Sequence, residues 1–255
     1  MTSLIPTYRD VGEGPAVVFL HGLGGNRHSF DPQLEALSSR YRCIAWDAPG
    51  YGGSARLDEF TFANLAQCFT NLLEKLRIKP FAVIGHSMGG MIAQTWVANG
   101  GVADKLVLAQ TSARFGKPGS DFNKEFLGAR LKPLDEGQQP ADFAREVAES
   151  LLCDKSKTDV VRPAVESMSE ISADHYRQVL NNLVTFDELS NLKNISIPTL
   201  CLAGDADSTA PAKGMMRMSE SIPSGEFVCL PDAGHLAYLE TPEAFNRALT
   251  DFFDK

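Results

Sequence analysis

The sequence predicts an α/β fold: a mostly parallel sheet with helices on both faces and a helical lid inserted between two strands. Three observations lead there. Short apolar runs recur along the chain, each followed by a loop or a helix-like stretch. The runs are apolar throughout instead of alternating, the pattern of strands covered on both faces and hence mostly parallel. One internal stretch, residues 112–192, carries helical periodicity and no convincing strand.

The elements follow in order. "LIPTYRDVGEGP" precedes the first core run and is placed to add an antiparallel edge strand through a glycine-containing turn. "PAVVFL" is a β-branched and apolar strand that ends at "HGLGG", His21 to Gly25. "DPQLEALSS" reads as a helix, and "RCIAW" as a second buried strand closed by the loop "DAPGYGGS". In "TFANLAQCFTNLLEKLRI", Phe62, Leu65, Phe69, Leu72, Leu73 and Leu76 share one helical face, with Thr61 as the capping residue. "FAVIG", "KLVLAQ", "TLCLAG" and "EFVCL" supply four more strands.

Between "KLVLAQ" and "TLCLAG" the rhythm breaks. "PADFAREVAESLL" puts Phe143, Val147 and Leu151 on one face, and "SADHYRQVLNNLVTF" does the same for Tyr176, Val179, Leu180 and Leu183. Pro118, Pro133, Pro140 and Pro163 punctuate the stretch. The predicted division is a core of residues 1–111 and 193–255 with a helical cap of residues 112–192. An insertion after a strand's C-terminal end sits above the edge where open α/β sheets bind ligands.

Composition narrows the function classes. At 255 residues and 44% hydrophobic, the chain can bury one sizeable core. A net charge of -8 disfavours nucleic acid and anionic membrane surfaces as partners. No apolar run reaches membrane-spanning length, and the N-terminus lacks the pattern of a secretory signal. Five cysteines are scattered without metal-like pairing; those in "RCIAW", "TLCLAG" and "FVCLP" read as buried thiols, so a reducing cytoplasm is the expected setting.

The chemistry centres on "GHSMGG", Gly85 to Gly90, which follows the strand "FAVI" and opens the helix "MIAQTWVA". A strand, a sharp turn and a helix around G-x-S-x-G make a nucleophile elbow that lifts the serine hydroxyl above the sheet. Gly85 and Gly89 let neighbouring backbone pass close, and the helix N-terminus aims unsatisfied N–H groups at Ser87. A serine needs a base, and the base needs an orienting acid, expected in the order Ser, acid, His. His235, in "LPDAGHLAYLETP", is the only histidine in a C-terminal strand-end loop. His21 lies in the wrong order, His86 neighbours the serine and should point away, and His28 and His175 sit in helix-like contexts. For the acid, Asp205 and Asp207 compete in "GDAD"; Asp207 is favoured because it clears the strand end, with Asp205 as a turn residue. The expected oxyanion donors are the backbone N–H groups of Met88 and of Leu23 in the glycine-rich "HGLGG".

Together "HGLGG", "DAPGYGGS", "GHSMGG", "GDAD....P" and "AGHLAYLETPEAFNRALTDFF" resemble the α/β-hydrolase fold superfamily over almost the whole chain except the cap. The spread is most similar to the branch of 3-oxoadipate enol-lactonases, meta-cleavage product hydrolases and small carboxylesterases. The resemblance implies a serine hydrolase acting on a small ester or lactone through an acyl-enzyme. The same residues also suit carbon–carbon bond hydrolysis of a diketone, or a ligand-binding receptor or cofactor-free oxygenase on the same scaffold. No Walker loop, dinucleotide fingerprint or metal-ligand spacing is present, so no cofactor is expected. In the cap, Arg114, Phe115 and Phe186 are the expected substrate contacts, with Arg114 gripping a substrate carboxylate; Phe122, Phe126, Arg130 and Arg177 are further candidates.

Overall fold

The computed structural model describes residues 2–117 and 119–255, so the punctuation expected at Pro118 lies outside the described residues. The strands are β1 (Tyr8–Val11), β2 (Ala16–Leu20), β3 (Arg42–Trp46), β4 (Ala82–His86), β5 (Lys105–Ala109), β6 (Thr199–Gly204) and β7 (Gly225–Leu230). They form one sheet in the order β1-β3-β2-β4-β5-β6-β7. Among the described strands only β1 runs antiparallel, an edge strand as expected, but it pairs with β3 and not with β2 across the glycine-containing turn. All other neighbours are parallel.

The helices are α1 (Asp31–Leu37), α2 (Phe62–Leu76), α3 (Met88–Ala98), α4 (Asp121–Asp135), α5 (Pro140–Ser150), α6 (Arg162–Ser169), α7 (Ala173–Leu183), α8 (Ala212–Glu220), α9 (Ala237–Glu240) and α10 (Pro242–Phe253). Alternate residues of each buried strand point to opposite faces. Val18 and Leu20 join a cluster with Ile44, Trp46, Phe69 and Met91, while Val17 and Phe19 join another with Ile84, Leu200, Phe245 and Phe252. Both faces are therefore covered, which is why the strands read as continuous apolar runs. Thr61 caps α2 as expected, its hydroxyl accepting Asn64 N–H at 3.2 Å.

β7 corrects one expectation. It has a neighbour on one side only and is mostly half-buried, so Cys229 is exposed, whereas Cys43, Cys68 and Cys201 are buried. Among the described residues, no helix is long and apolar enough to cross a membrane.

Between β5 and β6 the chain forms α4–α7 and a 3-10 turn (Leu189–Asn194), with strand-like pairing, among the described residues, only at an isolated bridge between Arg114 and Asp187. Phe143, Tyr176, Val179, Leu180 and Leu183 are buried in the cluster that also holds Val18 and Leu20, so this segment and the sheet share one core. Pro133 does not break the chain but lies inside the last turn of α4. There its missing N–H costs a single helical bond close to the end. α4 buries only Asn123 and Leu134, which leaves little periodic signal to read.

Candidate active site

Ser87 sits between β4 and α3 at φ 51° and ψ -117°. An L-residue at such positive φ is strained, and the surroundings hold it there. Ser87 N–H donates to Ala109 O at 3.0 Å; Ser87 O accepts the Thr111 hydroxyl at 2.7 Å and Gly90 N–H at 2.9 Å. The glycines make the turn possible. A Cβ on Gly89 would fall 2.0 Å from Leu20 O, and one on Gly85 would fall 2.5 Å from Gly89 O.

The loops after β6 and β7 bring the predicted partners to the serine. His235 Nε2 lies 3.0 Å from Ser87 Oγ, and His235 Nδ1 lies 2.8 Å from Asp207 Oδ2. Asp207 Oδ1 accepts Thr209 N–H at 2.8 Å and Ala210 N–H at 2.9 Å. Both His235 and Asp207 are buried. Burial raises the Asp207 carboxyl, but the His235 contact and the two backbone N–H groups outweigh it and hold the group below the usual carboxylate range. Asp205 instead accepts Ala233 N–H at 3.3 Å, a turn contact away from the histidine ring.

The other histidines are accounted for. His21 Nδ1–H donates to Gly22 O at 2.8 Å while its Nε2 accepts Ala48 N–H at 2.9 Å, so it braces the glycine-rich loop. His86 Nε2–H donates to His235 O at 2.8 Å, supporting the loop behind the His235 ring. Burial pushes His21 down to about 4 and His86 down to about 3, and both are neutral near pH 7. His28 is exposed. His175 is buried in α7 against the rings of Tyr51 and Phe60.

The "HGLGG" loop abuts the serine: a Cβ on Gly22 would lie 3.0 Å from Ser87 Cβ. Among the described residues, neither Leu23 N–H nor Met88 N–H donates within the protein. Two cavities meet at Ser87 and His235. The larger, about 410 Å³, is walled by Gln110, Arg114, Phe115, Phe122 and Met215 among others. The smaller, about 90 Å³, is walled by Leu23, Phe126, Arg130, Val147, Met168 and Leu180 among others. Phe115 lines both.

The expected substrate contacts divide. Phe115 lines both cavities beside Ser87. Arg114 lines the larger cavity but its guanidinium is 4.0 Å from Asp187. Phe186 is a correction: it is turned into the core, its ring 4.8 Å from that of Phe62, and lines neither cavity. Its carbonyl accepts Phe115 N–H at 3.0 Å, so it supports the wall from behind. Arg177 is on the outer face, paired with Asp135. Sequence reasoning passed over Glu240, whose carboxylate accepts two backbone N–H groups beside His235. The available signal was a lone charge in the apolar run "HLAYLETP".

A family model described as the alpha/beta hydrolase fold matches residues 15–242. The chain belongs to the alpha/beta hydrolase fold family. It is similar to BpoC of Mycobacterium tuberculosis, provisionally named a non-heme bromoperoxidase, at 33% identity over 96% of this chain and 96% of the relative. It is similar to 3-oxoadipate enol-lactonase 1 of Acinetobacter baylyi at 28% identity, over 93% of this chain and 88% of the relative. Among solved structures it resembles a thermophilic esterase from Thermogutta terrifontis, with a TM-score of 0.88 and 26% identity over 98% of this chain and 93% of that one. Like these alpha/beta hydrolases, the chain is an enzyme with a mostly parallel sheet covered on both faces.

Proposed function

We propose that this alpha/beta hydrolase cleaves a small carboxylic ester or lactone through an acyl-enzyme, with Ser87 as nucleophile, His235 as general base and Asp207 as orienting acid. One observation carries the reading: an unbroken relay from Ser87 Oγ through His235 to Asp207 opens onto two cavities beside two unspent backbone N–H groups. Ser87 Oγ attacks the substrate carbonyl as His235 Nε2 takes its proton. Asp207 fixes the tautomer with the proton on Nδ1 and stabilises the imidazolium. The N–H groups of Leu23 and Met88 receive the developing oxyanion. His235 then protonates the leaving alkoxide or, in a lactone, the ring oxygen. Water, deprotonated by His235, releases the acid. The helical segment of residues 112–192 acts as a cap that walls the cavities and sets which substrates enter.

The substrate class follows from charge. Arg130 supplies the guanidinium on the wall of the small, mostly apolar cavity. It lies over the Phe126 ring at 5.7 Å, and no carboxylate oxygen lies within 4.0 Å of it among the described residues. Arg114 already has Asp187. A guanidinium without a carboxylate partner on the wall of a mostly apolar cavity favours a substrate that brings a carboxylate of its own. Arg130 therefore takes the role expected of Arg114.

Hydrolysis of p-nitrophenyl acetate and butyrate by the native protein and by Ser87→Ala tests the reading. Activity lost with Ser87 supports it, and activity that survives the substitution overturns it. A native protein inert toward simple esters and lactones points to carbon–carbon bond cleavage on the same relay.

A further inference from the structure

The loop carrying His235 is tied to the inserted helical segment by a closed ring of three hydrogen bonds. His235 N–H donates to Leu151 O at 2.8 Å. Two residues further on, Cys153 N–H donates to Glu240 Oε1 at 2.7 Å. Glu240 Oε2 accepts Gly234 N–H at 2.7 Å, which closes the ring one residue before His235. The backbones approach so closely that a Cβ on Gly234 would fall 2.5 Å from Leu151 O and 2.6 Å from Cys153 N.

Glu240 is 8% exposed, and no Lys, Arg or His nitrogen lies within 4.0 Å of its carboxylate among the described residues. A desolvated carboxylate without a counter-ion is costly, and burial pushes its carboxyl up. Both of its oxygens are spent on backbone N–H groups, one on each side of the seam between segment and loop.

We propose that Glu240 is a positioning residue for His235 and that it couples the alignment of this base to the seating of the inserted helical segment. The proposal rests on the reading of His235 as the base. That ring must satisfy Ser87 at 3.0 Å and Asp207 at 2.8 Å together, and a displacement of about 1 Å in such a relay costs on the order of 100-fold in rate. The loop is also held by His86 Nε2–H on His235 O, Ala206 N–H on Ala233 O and Ala233 N–H on Asp205 Oδ1. Lifting the segment at Leu151–Cys153 strips the acceptor from His235 N–H and one donor from Glu240 at once. Leu151 and Leu236 both wall the small cavity, so a substrate seated there touches the two sides of the seam. Filling the cavity thus holds segment and base in register.

The test compares Glu240→Gln and Glu240→Ala with Glu243→Gln, an exposed glutamate on α10, as the control. Three readouts are taken: kcat and KM on p-nitrophenyl butyrate, rescue of Glu240→Ala by added formate, and the downfield proton resonance of His235 Nδ1–H. In Glu240→Gln an amide NH₂ replaces one acceptor and faces an N–H. The expected result is a fall of about 10- to 100-fold in kcat with KM changed by less than about 2-fold. Glu240→Ala falls further and regains activity with formate, and in both variants the His235 resonance broadens. Native kcat with an unchanged resonance overturns the proposal. So does a variant that loses thermal stability alone, with kcat, KM and resonance untouched. If the native protein cleaves no ester, the function proposed above fails, while the resonance in the variants still decides whether Glu240 holds His235.

Discussion

Replacing Gly89 by alanine tests the physical reason for the glycines around Ser87. The new Cβ would fall 2.0 Å from Leu20 O, 2.5 Å from Leu20 C and 2.8 Å from His21 O, all backbone atoms of β2 and the loop after it. That is about 1.4 Å short of the 3.4 Å at which ordinary contact begins, so α3 and β2 must separate. Overpacking of this kind costs about 1–3 kcal/mol. At about 2.1 cal/mol/K of unfolding entropy per residue, that corresponds for 255 residues to a fall in Tm of about 2–6 °C. The separation also drags Met88 N–H away from Leu23 N–H, because one lies on α3 and the other on the loop after β2. If these two N–H groups receive the oxyanion as proposed above, misplacing one of them costs on the order of 100-fold or more in kcat. Calorimetry and p-nitrophenyl butyrate kinetics read both effects on one preparation. Gly128→Ala is the control: its Cβ meets nothing within 4 Å, on an exposed face of α4, and it should stabilise by about 0.4–1 kcal/mol. A Gly89→Ala protein with native Tm and kcat would refute the close-approach argument.

Three further outcomes are expected. Asp207→Asn should lower kcat by about 10⁴-fold by favouring the wrong His235 tautomer, while Asp205→Asn loses only a turn contact and stays within about 10-fold; steady-state kinetics on both variants separates them, and a larger loss at Asp205 reverses the assignment. Arg130→Met should weaken kcat/KM at least 10-fold for p-nitrophenyl esters of dicarboxylic acids and leave neutral esters within about 2-fold, with Arg114→Ala showing no such selectivity; equal losses on both ester classes would remove the carboxylate from the substrate. Stability should fall as pH drops below the ordinary histidine value of 6.5, because burial holds His21 and His175 down to about 4 and His86 down to about 3. The unfolded chain takes up those protons and the folded chain refuses them, so each histidine contributes a slope of up to about 1.4 kcal/mol per pH unit between its folded value and 6.5. A melting temperature that stays flat across that interval would show that these imidazoles are not held neutral.

What the sequence determined by itself are the features written in local chemistry. Continuous apolar runs announced doubly covered strands, Thr61 announced the start of α2, and G-x-S-x-G between a strand and a helix announced the turn at Ser87. Chain order and strand-end position pointed to His235 and to Asp207 over Asp205, and the structure places these two within hydrogen-bond distance of each other and His235 within that distance of Ser87, because both come from loops at one edge of a parallel sheet. The tertiary structure alone decided what depends on which surfaces meet. Phe186 and Phe115 are both aromatic and both follow helical or strand ends, yet only packing against Phe62 turns Phe186 inward. Cys229 sits in an apolar run like Cys201, but β7 has no outer neighbour to cover it. Arg114 and Arg130 look alike in sequence; Asp187, remote in the chain, pairs with one and leaves the other facing the cavity. Glu240 is the clearest case, since its two donors, Cys153 and Gly234, are far apart in the chain and meet only where the inserted segment lies against the His235 loop. Periodicity and spacing report the near neighbours of a residue, and these roles are set by distant ones.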